Sequence, residues 1–183
     1  MTTDWDARAP SIGDLAPDPA LLDEAGKPAE LRSLFPGPLL VLFVPWPADE
    51  ATTRLLKEYR DATMVFQQIG VKVLAITPAE PSAIRFLRRE RGIGFPLFSD
   101  PDATAGAQWG LSGKLGLFLV DRHFIVRQRA LGETAPKALL NFIQRGGILT
   151  GKKSPPVVDK LVAGLARMRG LFHLPGKTRR AVR

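Results

Sequence analysis

The chain of 183 residues contains no cysteine. This absence excludes disulfide bonds, metal sites built from thiolates and any redox chemistry that depends on a thiol of the chain itself. Long apolar runs are also missing, because no stretch approaches the roughly 20 apolar residues that a membrane-spanning helix needs. The opening residues 1–6 are acidic and lack an apolar run, so no secretory signal is expected. The cytoplasm is therefore the expected location.

Histidine is scarce, and other catalytic or cofactor-binding patterns are missing. The two histidines, His123 and His173, belong to no recognisable order of serine, histidine and acid. No spacing of His, Asp and Glu supplies the clustered ligands of a metal site. Gly92-Ile93-Gly94 lacks the rest of a dinucleotide fingerprint, and no complete phosphate-binding loop is present. The sequence thus predicts neither a cofactor nor a metal.

Charge is distributed unevenly along the chain. Residues 1–50 carry nine acidic and three basic residues, whereas residues 151–183 carry one acidic and nine basic residues. The whole chain has a formal net charge of +8. A basic end behind an acidic beginning is typical of a segment with an anionic partner, and also of a tail that only improves solubility.

Apolar runs alternate with turn residues and helical patterns over residues 1–150, which predicts an α/β domain. The run Pro38–Val44 is continuously apolar, as expected for a strand that is covered on both faces. The predicted helices run from a cap near Asp49 to about Gly70, from Pro81 to about Arg91, over a brief segment ending near 109–110, and over about 134–145. A further strand is predicted at 71–76, and a short strand or loop at 94–101. Hairpin turns are predicted at 23–26 and at 122–123. This order gives a mixed sheet with helices on both faces.

Several short motifs occur in a characteristic order. They are Gly13-Asp14-x-Ala16-Pro17-Asp18, Asp23-x-x-Gly26-Lys27, Gly37-Pro38 leading to Phe43-Val44-Pro45, Gly92-x-x-Phe95-Pro96-Leu97-x-Ser99-Asp100-Pro101, Trp109-Gly110 and Phe118-Leu119-Val120-Asp121. Over residues 11–145 the chain resembles the peroxiredoxin family, the group of alkyl hydroperoxide reductase (AhpC) and thiol-specific antioxidant (TSA) proteins. The resemblance implies a thioredoxin-like fold for the first 150 residues.

The resemblance also implies the position of an active site that this chain does not complete. Family members place a peroxidatic cysteine in a Thr-x-x-Cys pattern after a proline, and that proline is Pro45 here. Counting from Pro45, the threonine position falls at Asp49 and the cysteine position at Thr52. An alignment on Trp46 shifts this register by a residue or two, but every register ends on a residue other than cysteine. The family's arginine falls near Leu115, with Lys114 as the basic neighbour.

This degenerate pocket predicts that peroxidase chemistry is lost and that no residue is catalytic. A thiolate attacks peroxide because a helix N-terminus and an adjacent cation lower its pKa, whereas a threonine hydroxyl does not ionise near neutrality. Asp49 and Glu50 suit helix capping better than acid–base catalysis. The expected function is a redox-silent binding or scaffold module with an unidentified protein partner or a second copy of the chain. The alternative is an antioxidant oxidoreductase that uses a partner thiol or a borrowed cofactor.

Two basic features lie outside the implied active site. Arg85, Arg88 and Arg89 share one face of a predicted helix, as in an anion-binding ridge or an ordinary solvated surface. Residues 151–183 predict a linker, an amphipathic basic helix with an apolar stripe from Val157 to Phe172, and a basic end. Three alternatives stay open for this tail: packing on the domain, contact with a protein partner or second copy, and binding to an anionic membrane surface or nucleic acid.

Overall fold

The computed structural model describes residues 9–146, which form a mixed α/β domain. The strands are β1 (Leu21–Leu22), β2 (Pro28–Ala29), β3 (Leu39–Phe43), β4 (Lys72–Thr77), β5 (Leu97–Ser99), β6 (Gly116–Val120) and β7 (Val126–Leu131). The helices are α1 (Leu31–Leu34), α2 (Glu50–Gln68), α3 (Pro81–Arg91), α4 (Thr104–Gln108) and α5 (Pro136–Gly146). Every predicted strand and helix within these residues is present, and the undecided segment 94–101 contains β5.

The strands form one seven-stranded sheet in the order β2-β1-β5-β4-β3-β6-β7. The strands β3, β4 and β5 run parallel, and β6 lies antiparallel to β3 with Phe43 opposite Gly116. The helices α2 and α3 connect the three parallel strands in sequence. Because β6 is antiparallel, its beginning lies at the edge where the parallel strands end. The turns at this edge are therefore neighbours in space.

The central strand β3 is buried on both faces, as its continuous apolar sequence predicted. One face contributes Leu39, Val41 and Phe43 to a core that also holds Leu31 from α1 and Ala105 from α4. Since side chains alternate along a strand, Leu40 and Leu42 face the opposite side of the sheet. There the buried stripe of α2 lies against β4 and α5.

Packing explains why a tryptophan and a glycine occupy positions 109 and 110. Trp109 is fully buried, and its ring centroid lies 4.7 Å from that of Phe118 in an edge-on arrangement. Gly110 follows with φ of +69°, and a Cβ added there would lie 2.3 Å from the Cβ of Ala9. Only glycine combines this backbone conformation with such a close approach.

The predicted arginine ridge on α3 has a structural role at two of its three positions. The Arg85 guanidinium donates to the backbone carbonyl of Glu24 at 3.2 and 2.6 Å. The Arg88 guanidinium contacts the Glu24 carboxylate at 2.5 Å and donates to the carbonyl of Ile93. These two arginines therefore fasten the β1–β2 turn to α3, which the sequence pattern alone did not indicate.

The short helix α1 was not predicted, and it depends on a contact distant in sequence. The Asp18 carboxylate accepts hydrogen bonds from the backbone amides of Leu31 and Arg32 at the start of α1. A cap that lies thirteen residues before its helix gives no local sequence signal.

Two further predictions concern the ends of the chain and the membrane. The amphipathic helix and basic end at 151–183, and the domain boundary at residue 150, lie outside the described residues. Within residues 9–146, no helix is both long enough and apolar enough to cross a membrane.

Candidate functional site

The β3–α2 turn and the first turn of α2 carry three of the five residues that the sequence places in the degenerate pocket. Pro45 follows β3 and is half-buried, while Trp46 beside it is 39% exposed. Asp49 has an extended backbone and occupies the N-cap of α2. Thr52, three residues later, is only 2% exposed. The proline, aspartate and threonine thus lie in and around the first turn of α2, where the family's pattern implies the peroxidatic site.

Asp49 and Thr52 are joined by hydrogen bonds to the Asp49 carboxylate. The Asp49 carboxylate accepts a hydrogen bond from the Thr52 backbone amide at 2.7 Å, which caps one of the free N–H groups at the helix start. Hydrogen bonds from the Thr52 hydroxyl and the Thr52 amide lower the pKa of Asp49 below its usual value, and Arg54 adds a smaller effect in the same direction. The carboxylate is therefore ionised at neutral pH.

Lys114 and Leu115, the other two predicted residues, lie in the loop between α4 and β6. Leu115 precedes Gly116, which is paired with Phe43 two residues before Pro45. The sheet register therefore brings this loop to the edge that carries the β3–α2 turn. The Leu115 carbonyl accepts from the amide of Gly132, so this bond ties its backbone to the residue that follows β7.

The charges near the first turn of α2 are arranged against thiolate chemistry. Asp49 and Glu50 place two carboxylates there, and Arg54 forms an exposed ion pair with Glu133 at 2.9 Å. A thiolate at position 52 would lie beside the ionised Asp49, and like charges raise a thiol's pKa. Leu115 supplies no positive charge at the position implied for the family's arginine. The turn can cap a helix, but it offers no nucleophile.

A small pocket lies at the same edge of the sheet and extends the site beyond the predicted residues. Its space of about 20 Å³ is comparable to the volume available to a single water molecule. Its wall combines apolar side chains with Thr77, Asp100 and Lys114. Of the five predicted residues, only Lys114 lines this pocket; Pro45, Asp49, Thr52 and Leu115 do not.

Sequence reasoning missed Thr77 and the role of Asp100. Thr77 ends a strand that is otherwise apolar after its first residue, and that single polar residue is the only signal that could have drawn attention to it. Asp100 lies in the family-like Ser99-Asp100-Pro101 motif, and its two carboxylate oxygens accept from the amides of Ala105 and Gly106 at 3.0 and 2.9 Å.

Comparison with known protein sequences identifies the family of this chain. The sequence model of the AhpC/TSA family matches residues 12–129, which is more than half of the chain. The chain belongs to the AhpC/TSA family. The putative peroxiredoxin of Mycobacterium tuberculosis strain H37Rv is 30% identical to this family member over 106 residues, which cover 58% of the chain and 68% of the relative.

Solved structures agree on the fold of this AhpC/TSA protein. Peroxidoxin BcpB from Mycobacterium tuberculosis superimposes with a TM-score of 0.63 at 25% identity, covering 69% of this chain and 88% of that one. Thiol peroxidase from Chromobacterium violaceum gives a TM-score of 0.65 at 22% identity, covering 78% of this chain and 91% of that one. The predicted thioredoxin-like, peroxiredoxin-type fold is confirmed. The alignment of Thr52 with the family's cysteine stays a prediction.

Proposed function

We propose that this AhpC/TSA family member is redox-silent and acts as a binding or scaffold module. One observation supports the proposal above the others: the first turn of α2 holds Thr52 hydrogen-bonded to Asp49, in a chain without cysteine. A threonine hydroxyl is neither ionised near neutrality nor a competent two-electron reductant of peroxide. The loss of the thiol removes the nucleophile, and Asp49 removes the electrostatic support that a nucleophile there would need.

The binding role is supported by what remains at this edge of the sheet. Trp46 stands partly exposed between two prolines, next to the first turn of α2. In open α/β sheets, ligands bind at the edge where the parallel strands end, and the small pocket lies at that edge. A domain that keeps this architecture without its thiol retains a place to bind but not a means to reduce.

The test is peroxide consumption by the purified full-length chain with an excess of a small thiol reductant and a metal chelator. We expect hydrogen peroxide and an alkyl hydroperoxide to disappear at the rate of the reductant alone. Catalysed turnover that scales with protein concentration and survives the chelator would contradict redox silence. A cysteine-containing peroxiredoxin in the same buffer confirms that the assay detects activity.

The alternative function, an oxidoreductase that borrows a thiol from a partner, is separated by a second arm of the same assay. A dithiol oxidoreductase and its reducing system are added to the chain. Redox silence predicts no increase over the partner alone, whereas a synergistic rate would establish the alternative.

The proposed partners and location follow from the sequence. A second copy or another protein at the altered cleft, and an anionic membrane surface or nucleic acid at the basic tail, stay predictions. The cytoplasmic location is likewise a prediction.

A further inference from the structure

The outward-facing side of α3 carries an exposed aromatic ring among arginines. Phe86 is 66% exposed, on a helix whose buried residues are Ile84 and Leu87. Arg85 precedes it, Arg89 follows within one turn, and both arginines are exposed. Residues three or four apart on a helix are neighbours on its surface, so Arg89 lies next to both Arg85 and Phe86. We call the surface formed by these three side chains the α3 outer face.

The α3 outer face has more positive charge than the fold uses. The helix contains four arginines and one glutamate. Arg85 and Arg88 both contact Glu24, whose single carboxylate balances only one of the two guanidinium groups. The Arg89 guanidinium forms no hydrogen bond or ion pair with residues 9–146. Because like charges at i and i+4 repel on a helix, Arg85 and Arg89 are best accommodated when an anion lies beside them.

The helix dipole accounts for some of these cations but not for the ring. Arginines in the last turn of a helix are stabilised by its negative end, which applies to Arg88, Arg89 and Arg91. The dipole has no bearing on Phe86, whose apolar ring is left in water. Exposed aromatic rings beside cations are typical of surfaces that bind a strand of unpaired bases.

Unpaired nucleic acid has the chemistry that this surface fits. Arg85 and Arg89 lie about 6 Å apart along the helix axis and can contact two phosphates of one strand. The ring of Phe86 can stack on a base only where that base is not covered by its neighbours in a duplex. A membrane surface fits less well, because one phenylalanine supplies little apolar area and the polar Ser82 and Glu90 are exposed on the same helix.

We propose that the α3 outer face binds unpaired stretches of nucleic acid, with Phe86 stacked on a base and Arg85 and Arg89 contacting phosphates. The formal net charge of +8 on the chain would attract such a polyanion. The inference goes beyond the proposed function, because it assigns a partner class to a surface that includes neither the β3–α2 turn nor the basic tail.

The test is a titration of the ¹⁵N-labelled full-length chain with a short oligothymidylate, followed by amide chemical shifts. Duplex DNA of equal length, poly(glutamate) and anionic lipid vesicles are separate arms. We expect saturable shifts over residues 82–91 with the oligothymidylate, and at most weak shifts there in the other arms. Shifts confined to residues 151–183, or equal shifts over 82–91 with poly(glutamate), duplex or vesicles, would overturn the proposal.

Two variants and two matched controls identify the binding groups. Phe86→Leu keeps an apolar side chain but removes the ring, and we expect the affinity for the oligothymidylate to fall at least about fivefold. Arg89→Gln should weaken binding and reduce the slope of log affinity against log salt by about 0.7, as for one lost phosphate contact to a single strand. Met64→Leu on α2, at a position 65% exposed, and Arg145→Gln on α5 should bind as the unaltered chain does.

The outcomes separate this proposal from the proposed function. Unchanged affinity in both Phe86→Leu and Arg89→Gln, or an equal loss in each variant and its control, would remove the nucleic-acid surface while leaving redox silence standing. Peroxide turnover accompanied by strand binding that depends on Phe86 would remove redox silence while leaving this surface standing. All four substituted side chains are exposed, so the variants should unfold at the same urea concentration as the unaltered chain.

Discussion

Two buried threonines at the same edge of the sheet differ in their hydrogen bonding. Thr52 is 2% exposed at the start of α2, and its backbone amide and hydroxyl both interact with Asp49. Thr77 is 1% exposed at the end of β4, and its hydroxyl has no hydrogen-bond partner in the protein. The threonine at the position implied for the family's chemistry is internally satisfied. The threonine that no motif singled out is the one left with bonding capacity.

The two threonines show that a position implied by a family pattern and a position with unused hydrogen-bonding capacity are different places in this fold. The first turn of α2, where the family's pattern implies the active site, uses its polar groups to cap a helix, which contributes to stability. The end of β4 keeps a buried hydroxyl without a hydrogen-bond partner, which costs free energy. The place that a family pattern implies for its active site therefore does not indicate which polar atoms of the fold lack a partner.

The largest expected effect comes from rebuilding the thiol site. In Thr52→Cys we expect a thiol pKa above the ordinary value of about 8.5, because the Asp49 carboxylate lies beside it. Adding Asp49→Thr and Leu115→Arg should lower that pKa and raise the rate of reaction with peroxide at neutral pH by at least about tenfold, since one pKa unit changes the thiolate fraction about tenfold. Thiolate absorbance against pH and stopped-flow peroxide kinetics measure the two quantities.

The control for this reconstruction is a cysteine one residue away. Thr53→Cys on the same turn of α2 should not respond to Asp49→Thr and Leu115→Arg as position 52 does. An equal response at both positions, or a low thiol pKa in Thr52→Cys alone, would show that the assumed register or the effect of Asp49 is wrong.

The second prediction compares how the buried hydroxyls of Ser99 and Thr77 affect the free energy of unfolding. Ser99→Ala leaves the buried carbonyl of Ala79 without its donor and should lower the free energy of unfolding by about 1–3 kcal/mol. Thr77→Val replaces an unpartnered hydroxyl by a methyl group of the same shape and should leave that free energy unchanged or raise it. Urea denaturation of both variants measures the contrast. A comparable loss of stability in Thr77→Val would mean that its hydroxyl has a protein partner.

The smallest expected effect concerns the acid side of the stability profile. The folded-state pKa of Asp49 lies below its unfolded value because of the hydrogen bonds from Thr52. The contribution of Asp49 to the stability of the folded state is therefore present above about pH 4. It is lost as the pH falls through the folded-state pKa. Asp49→Asn keeps a capping oxygen but cannot titrate, so its melting temperature should fall less between about pH 5 and pH 2 than that of the unaltered chain.

The matched variant is Asp102→Asn, which removes a carboxylate from an exposed position outside α2. Its acid profile should follow that of the unaltered chain. If Asp49→Asn also follows that profile, the Asp49–Thr52 interaction does not stabilise the folded state, and the contrast with Thr77 is lost.

Much of the fold was predictable because its signals are local. The continuous apolar run before Pro45 indicated a doubly covered strand, Pro81 marked the first turn of α3, and Gly92 ends that helix in a left-handed conformation. The helix α1 was not predicted, because its amides are capped by Asp18 from a distant turn. The Arg85–Glu24 contact joins residues 61 apart and escaped prediction for the same reason.

Residue identities and short spacings were enough to establish that the chain has no thiol, that an aspartate stands three residues before Thr52, and that the domain has the α/β pattern of its family. They could not establish which polar atoms are satisfied, because that depends on the packing of distant segments. Hydrogen-bond partners such as those of Ser99 and Asp100, and the lack of one at Thr77, are set by strand register and loop packing. The same kind of side chain is therefore hydrogen-bonded at one position and left without a partner at another.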